Sequence, residues 1–119
     1  MARKTEEIDV GGRKIRIRQW DARTALEHLE AAGAFMVSLG EVSKGEGTKA
    51  PAIGPSTLKM FDALAACSEL RLAVEEESRT RYTWLRLDWA EEFAGDIGSA
   101  IQWAVQGVAL NLSTFREQG

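Results

Sequence analysis

Two adjacent glycines near the N-terminus constrain the fold of this chain more than any other feature. Gly11 and Gly12 separate two segments in which apolar and polar residues alternate, EEIDV and RKIRIRQW. A two-residue hairpin turn needs positive φ at both positions, which glycine adopts without steric cost. The pattern therefore predicts an antiparallel hairpin, with Val10 and Ile17 on its apolar face. Its register pairs apolar residues with each other and opposite charges with each other: Ile8 with Ile15, Asp9 with Lys14, and Glu7 with Arg16.

The segment after the hairpin predicts a helix that covers this apolar face, since a lone hairpin is only marginally stable. Asp21 is a good N-cap, and Gly40 is expected to end the helix. Phe35 and Leu39 lie beside the main apolar stripe, which predicts contact on two sides of the helix, with more core or with a partner. The main stripe itself recurs at helical spacing: Ala22, Ala25, Leu26, Leu29, Gly33 and Met36.

A flexible loop is expected over about residues 40–55, because GEVSKGEGTKAPAIGP holds both prolines of the chain and has no periodicity. Connections of this length are usually functional or mobile. Ser56 is then expected to cap a second helix. The apolar face of that helix is Leu58, Phe61, Leu64 and Ala65.

The segment ELRLAVEEESRTRYTWLRL has two interpretations. It can be a helix tail followed by a loop. It can also be a second hairpin, in which Leu70, Leu72 and Val74 alternate against Tyr82, Trp84 and the following Leu85 or Leu87. Threonine, tyrosine and tryptophan favour strands, so the hairpin is the preferred of the two.

The C-terminal third predicts a short helix and then a long one. Asp88 and Glu91 form a capping-box variant, Gly95 ends the short helix, and Asp96 can cap the last one. The long helix has an apolar stripe of Ile97, Ile101, Ala104, Val105, Val108, Leu112 and Phe115. Asn111 also falls on this stripe. A buried unpaired amide costs about 1–3 kcal/mol, so Asn111 is expected to be a structural residue with backbone partners.

Together these elements predict one domain over residues 1–119 of the α+β class, mostly α. Its expected architecture is an N-terminal β-hairpin packed on a small helical bundle, with a possible second short hairpin in the middle.

Composition narrows the function classes. The net charge of −3 argues against a nucleic-acid partner. The single Cys67 allows no internal disulfide and suits a reducing cytoplasm, and the single His28 makes a poor metal site. The sequence also shows no secretory signal, no membrane-spanning run, and no basic amphipathic helix for a membrane surface. Because no nucleophile–base set is present, we expect neither an enzyme nor a cofactor.

The layout of the chain resembles bacteriophage tail assembly chaperones. The resemblance rests on the hairpin IDVGGRKIRIRQW, the helix DARTALEHLEAAGAF that follows it, a variable loop, and the small-residue helix ALAACSEL. It also rests on a C-terminal pattern of Phe-x-Gly-Asp, an apolar helix, then Asn and an aromatic residue, FAGDIGSAIQWAVQGVALNLSTF.

The resemblance implies a non-enzymatic assembly factor of long-tailed phages. Such a protein coats the tape measure protein and recruits major tail tube subunits during virion morphogenesis. It acts in the host cell cytoplasm and is absent from the mature virion, and it can self-associate. In many phages a frameshifted longer form exists, of which this chain would be the short version.

Periodicity selects candidate residues for partner binding, namely Phe35, Leu39, Trp84, Trp89, Trp103 and Leu110. The residues expected to have structural roles are Gly11, Gly12, Asp21, Asn111 and Phe115. Trp103 is equally compatible with the core and with an interface, since tryptophan is enriched in both. The alternative to a tail assembly chaperone is a generic dimeric helical adaptor or antitoxin-like interaction module.

Overall fold

The computed structural model describes residues 3–43 and 53–118, and it describes side chains at residues 3–40 and 53–113. Eight elements are present in the described residues. In chain order they are β1 (Thr5–Val10), β2 (Arg13–Arg18), α1 (Ala22–Ser43), α2 (Pro55–Ala66), β3 (Ser68–Glu76), β4 (Arg79–Arg86), α3 (Trp89–Glu92) and α4 (Ile97–Gln118).

The four strands form a single antiparallel sheet in the order β1-β2-β3-β4. The first hairpin has the predicted register, with Ile8 opposite Ile15. The second hairpin pairs β3 with β4 without interruption from Glu69 opposite Arg86 to Glu76 opposite Arg79. Three residue pairs join the two hairpins: Ile15 with Leu70, Arg16 with Glu69, and Ile17 with Ser68.

This sheet makes the predicted architecture wrong. The N-terminal hairpin does not pack alone on a helical bundle, because β3 pairs with its free edge and the helices pack on one face of a four-stranded sheet. The physical reason is that β2 has two edges to satisfy, and β1 satisfies one of them. Arg16 Nε donates to Glu69 Oε1 at 2.8 Å, which ties β2 to β3 across the other edge.

Aromatic side chains build the core between the sheet and the helices. The Phe61 ring lies edge-on to the rings of Phe35 and Trp103, with centroids 5.6 and 5.9 Å apart. Trp103 is fully buried, and its Nε1 donates to Ser68 Oγ at 3.1 Å. Truncating an aromatic residue in such a core costs about 3–5 kcal/mol, so this cluster fixes how α2 and α4 pack.

The buried face of α4 differs from the predicted stripe. Ile97 is 71% exposed, whereas the helix buries a face that includes Trp103 and four smaller residues, Ala100, Ala104, Gly107 and Val108. A Cβ at Gly107 would lie 2.7 Å from Leu64 Cδ2. The missing side chain therefore lets α2 approach α4 closely, and this contact sets the rotation of the helix.

Several predicted boundaries also need correction. α1 continues through Gly40 to Ser43, since one glycine inside a helix costs only about 1 kcal/mol. α2 begins at Pro55 with Gly54 as its N-cap, because proline is well suited to the first helical position. Asp88 precedes α3 but its side chain makes no capping hydrogen bond. Residues 44–52 of the predicted loop lie outside the described residues.

Candidate partner-binding surface

The surface that best fits a partner is an apolar stripe on the side of α1 that faces away from the core. Leu26 is 65% exposed, Leu29 39% and Val37 64%. With Gly33 between them they occupy positions i, i+3, i+7 and i+11, so at about 100° per residue they lie within about 80° of one another. We call these four residues the α1 stripe.

The spacing within the α1 stripe is the one that helices use to pack on other helices. Steps of three and four residues keep side chains on one line along the helix. A Cβ added at Gly33 would meet nothing within 4 Å, so the centre of the stripe is open. A partner helix can therefore approach the backbone of α1 closely at this point.

Charged residues border the α1 stripe on one side. Arg23 Nε donates to Glu27 Oε1 at 3.1 Å, one helical turn apart. Glu30 is exposed one turn further along. An apolar centre with a polar rim is the usual anatomy of a protein–protein interface.

The face of α1 that was predicted to be buried is exposed, and the opposite face is buried. Leu26, Leu29 and Gly33 were expected to face the core, yet the buried residues are Ala32 and Phe35. The cause is the ring contact between Phe35 and Phe61, which turns this side of the helix inward.

Three residues predicted to bind a partner lie in the core, so that assignment is wrong for the folded chain. Phe35 is 1% exposed and Leu110 8%, and Trp103 is inaccessible. The rings of Phe35 and Trp103 pack edge-on to the Phe61 ring, and Leu110 belongs to the same core cluster. The spare apolar surface expected of the last helix is therefore used within the chain.

The other three predicted partner-binding residues do not form one surface. Leu39 is partly buried against the core on α1. Trp89 donates from Nε1 to Asp62 Oδ1 at 2.9 Å and stacks on Trp103. Trp84 lies on the outer face of the sheet, under the Arg16 guanidinium at 4.3 Å from the ring centroid. Their role in partner binding stays a prediction.

The glycines and Asp21 occupy positions that explain their residue types. Gly11 and Gly12 have φ of +56° and +82°. Asp21 Oδ1 accepts a hydrogen bond from the Thr24 backbone N–H at 2.8 Å. That bond caps α1 and is the main reason why the pKa of Asp21 lies below its ordinary value.

Asn111 has the backbone partners that a buried amide requires. It is 6% exposed. Its Oδ1 accepts from the Trp20 N–H at 2.9 Å, and its Nδ2 donates to the Gly107 carbonyl oxygen at 2.9 Å. One side chain on α4 therefore fixes the connection between β2 and α1. The Phe115 side chain lies outside the described residues.

Sequence reasoning missed a charged cluster that fixes the first hairpin to the junction of α3 and α4. Arg13 Nε donates to Glu92 Oε2 at 2.6 Å, Nη1 reaches Asp96 Oδ2 at 3.3 Å, and the guanidinium lies over the Phe93 ring. The Glu92 hydrogen bond raises the pKa of Arg13. The pKa of Asp96 is lowered chiefly by its hydrogen bonds with Ser99. No local signal reveals this cluster, because its partners are about 80 residues apart in sequence.

The described residues contain no cluster of three or more histidine, cysteine, aspartate or glutamate residues able to hold a metal ion. No helix among residues 3–43 and 53–118 is long and apolar enough to span a bilayer. His28 packs with the Trp20 ring at 5.5 Å, and Cys67 Sγ lies 3.5 Å from Arg3 Nη2.

Comparison of this chain with protein-family models, with curated proteins and with solved structures found no match.

Proposed function

We propose that this protein is a non-enzymatic tail assembly chaperone of a long-tailed bacteriophage. It binds the tape measure protein in the host cytoplasm and helps to recruit tail tube subunits. The proposal is supported by the sequence resemblance, which covers the first hairpin, the following helix and the C-terminal helix, and by the α1 stripe.

The observation that carries the proposal is that α1 is apolar on two opposite sides. One side packs on the core through Ala32 and Phe35, and the other presents Leu26 and Val37 to solvent. Single exposed apolar residues are common on protein surfaces. A line of them along one helix is characteristic of a helix-binding surface.

A tape measure protein is a long helical polymer with apolar seams, which would aggregate before assembly. The α1 stripe can cover one such seam by helix-on-helix packing, with Gly33 allowing close approach. Burying one leucine or valine fully contributes about 1.5–3 kcal/mol, and ordering the partner offsets part of this. The resulting moderate affinity suits a chaperone, because tube subunits that compete for the same seam can displace it by mass action.

The test is co-expression with the candidate tape measure protein, with its soluble fraction as the readout. The test variant is Leu26→Ser combined with Val37→Ser. The matched control is Ile97→Ser, which removes an equally exposed apolar residue from α4. We expect the parent and the control to keep the tape measure protein soluble. The double variant should give a smaller soluble fraction, because we expect its affinity for the tape measure protein to be about five- to 150-fold lower, which corresponds to about 1–3 kcal/mol.

Circular dichroism and thermal unfolding show whether the variants stay folded. Both substitutions are at exposed positions, so we expect folds like that of the parent. If the parent does not raise the soluble fraction of the tape measure protein at any expression ratio, the chaperone proposal is wrong. If the parent succeeds and the folded double variant succeeds equally well, the α1 stripe is not the binding surface.

A further inference from the structure

The face of the sheet that points away from the helices is open. Side chains of successive strand residues point to opposite faces of a sheet, and the sheet residues of the core, such as Val10, Ile15 and Ile17, all come from one face. Among the described residues, none on the opposite face belongs to the core. We call this opposite face the outer face. Its side chains are therefore available to a partner.

The outer face is basic from β2 to β4. Five basic residues stand against two acidic residues on these three strands: Lys14, Arg16, Arg18, Arg71 and Arg86 against Glu69 and Glu75. Glu7 and Asp9 of β1 also point outward, but they lie at the edge of the sheet, and Asp9 is paired with Lys14 at 3.3 Å. The net charge of −3 belongs to the whole chain, so it does not describe this face.

Three of these arginines have no acidic partner. Arg16 is paired with Glu69 at 2.8 Å, whereas Arg18, Arg71 and Arg86 form no ion pair with another residue in the described part of the chain. Exposed guanidiniums attract anionic groups, and the planar fork of arginine matches phosphate and carboxylate oxygens. The chemistry of this face therefore favours a partner that carries phosphates or carboxylates.

Two aromatic side chains lie among these arginines. Tyr82 and Trp84 are two residues apart on β4, which places them on the same face, about 7 Å apart along the strand. Tyr82 is 55% exposed. The guanidiniums of Arg71 and Arg16 lie over the rings of Tyr82 and Trp84, each 4.3 Å from the ring centroid. Flat groups stack on aromatic rings and on guanidinium planes alike, so this part of the outer face is a stacking surface surrounded by positive charge.

Single-stranded nucleic acid fits both features of the outer face. Its phosphates match the unpaired arginines, and its bases can stack on Tyr82 and Trp84. Some RNA-binding domains use aromatic side chains on an open four-stranded sheet in this way. An acidic protein would satisfy the arginines but would make no use of the rings. A duplex would bring phosphates, but the faces of its bases are covered by their neighbours.

We propose that the outer face binds single-stranded nucleic acid, with Tyr82 and Trp84 stacking on neighbouring bases and Arg71 and Arg86 contacting phosphates. Stacking tolerates any sequence, because every base has a flat face. Binding that depends mainly on phosphate contacts is weak at physiological salt and strengthens as the salt concentration falls. The inference does not rest on the proposed function, since it uses no residue of the α1 stripe.

Fluorescence anisotropy with the full-length chain tests the phosphate contacts. The probe is a fluorescein-labelled oligodeoxythymidylate of about 12 nucleotides, and we expect the parent to bind it at low salt with a Kd below about 100 μM. The double variant Arg71→Gln and Arg86→Gln should reduce the slope of log Kd against log salt by about 1.4, since each phosphate contact to a single strand contributes about 0.7. The matched control is Arg79→Gln with Arg81→Gln. It removes the same charge from the same hairpin but on the inner face of the sheet, so it should keep the slope of the parent.

Tyr82→Ala tests stacking separately from charge. Losing one stacking ring should weaken binding at least about fivefold. Leu85→Ala is the matched control, because Leu85 is 52% exposed on the same strand but points to the other face. It should bind like the parent. Circular dichroism checks the folds, which we expect to be unchanged because both positions are exposed.

Two unlabelled competitors identify the chemistry of the partner. A polyglutamate peptide and a DNA duplex, each of the same length as the probe, should compete at least about fivefold less well than the unlabelled single strand. A parent Kd above about 100 μM at low salt would overturn the proposal. So would a folded Tyr82→Ala variant that binds as tightly as Leu85→Ala. Equal competition by the duplex or by polyglutamate would also overturn it, and the outer face would then be a general anionic site or a site for acidic proteins.

Discussion

Replacing Asn111 by leucine tests whether one buried amide fixes the position of α1 against α4. The substitution removes the acceptor of the Trp20 N–H and the donor to the Gly107 carbonyl oxygen. The Gly107 carbonyl belongs to a helix, where the main chain supplies another donor. The Trp20 N–H is left in a buried position without its acceptor.

A buried donor without a partner costs about 1–3 kcal/mol. Leucine offers apolar contacts in return, but its branched end would point at the Trp20 N–H. We therefore expect a net loss of about 1–3 kcal/mol, and the midpoint of urea denaturation should fall by about 0.5–2 M. Amide hydrogen exchange at Trp20 should speed up more than exchange at residues of β3.

Ser113→Ala is the matched control for this measurement. Ser113 lies on the same helix, and its Oγ also bonds a backbone carbonyl, that of Leu110 at 2.8 Å. No buried donor loses its acceptor in that variant, so its midpoint should stay close to that of the parent. An Asn111→Leu midpoint equal to that of Ser113→Ala would refute the argument that the amide stabilises the fold.

Two further predictions concern the turn and the helix caps. Gly11→Val should lower the melting temperature strongly, because valine resists a φ of +56° and its Cβ would meet Ser99 Oγ at 2.6 Å. The control Gly12→Asn should change the melting temperature little, since the position is open and asparagine tolerates positive φ. Equal melting temperatures for the two variants would contradict the turn geometry. The pKa values of Asp21 and Asp96 lie below their ordinary value of 3.8, so their contribution to stability is complete well above pH 4 and is lost as the pH falls through the folded-state values. In the double variant Asp21→Asn and Asp96→Asn, an amide oxygen that does not titrate can accept each capping hydrogen bond. The free energy of unfolding of this variant should therefore fall less than that of the parent between about pH 5 and pH 2. Parallel acid-denaturation curves for the two proteins would contradict this.

The first hairpin was predictable because all of its determinants are local. Gly11 and Gly12 specify the turn, and the turn fixes every cross-strand pair in the register. The N-cap at Asp21 and the buried amide at Asn111 also follow from residue type and helical spacing. The pairing of β2 with β3 could not be predicted in the same way, because it joins Arg16 to a residue 53 positions away.

The faces of the two long helices were harder to predict for a different reason. Both sides of α1 are apolar at helical spacing, so periodicity alone assigns neither of them to the core. Packing decides between them, because Phe35 fits against the Phe61 ring and a leucine at position 26 has no such partner on α2. On α4 the decisive residue is Gly107, whose missing side chain admits Leu64. Tertiary contacts of this kind override periodicity.

The candidate surface does not lie where it was predicted, because three residues expected to bind a partner are buried in the core. Tryptophans are common binding anchors, but in this chain Trp103 fills the centre of a small core, where its area contributes most to stability. On α1 the apolar residues that stay exposed are the smaller ones of the α1 stripe, Leu26, Leu29 and Val37.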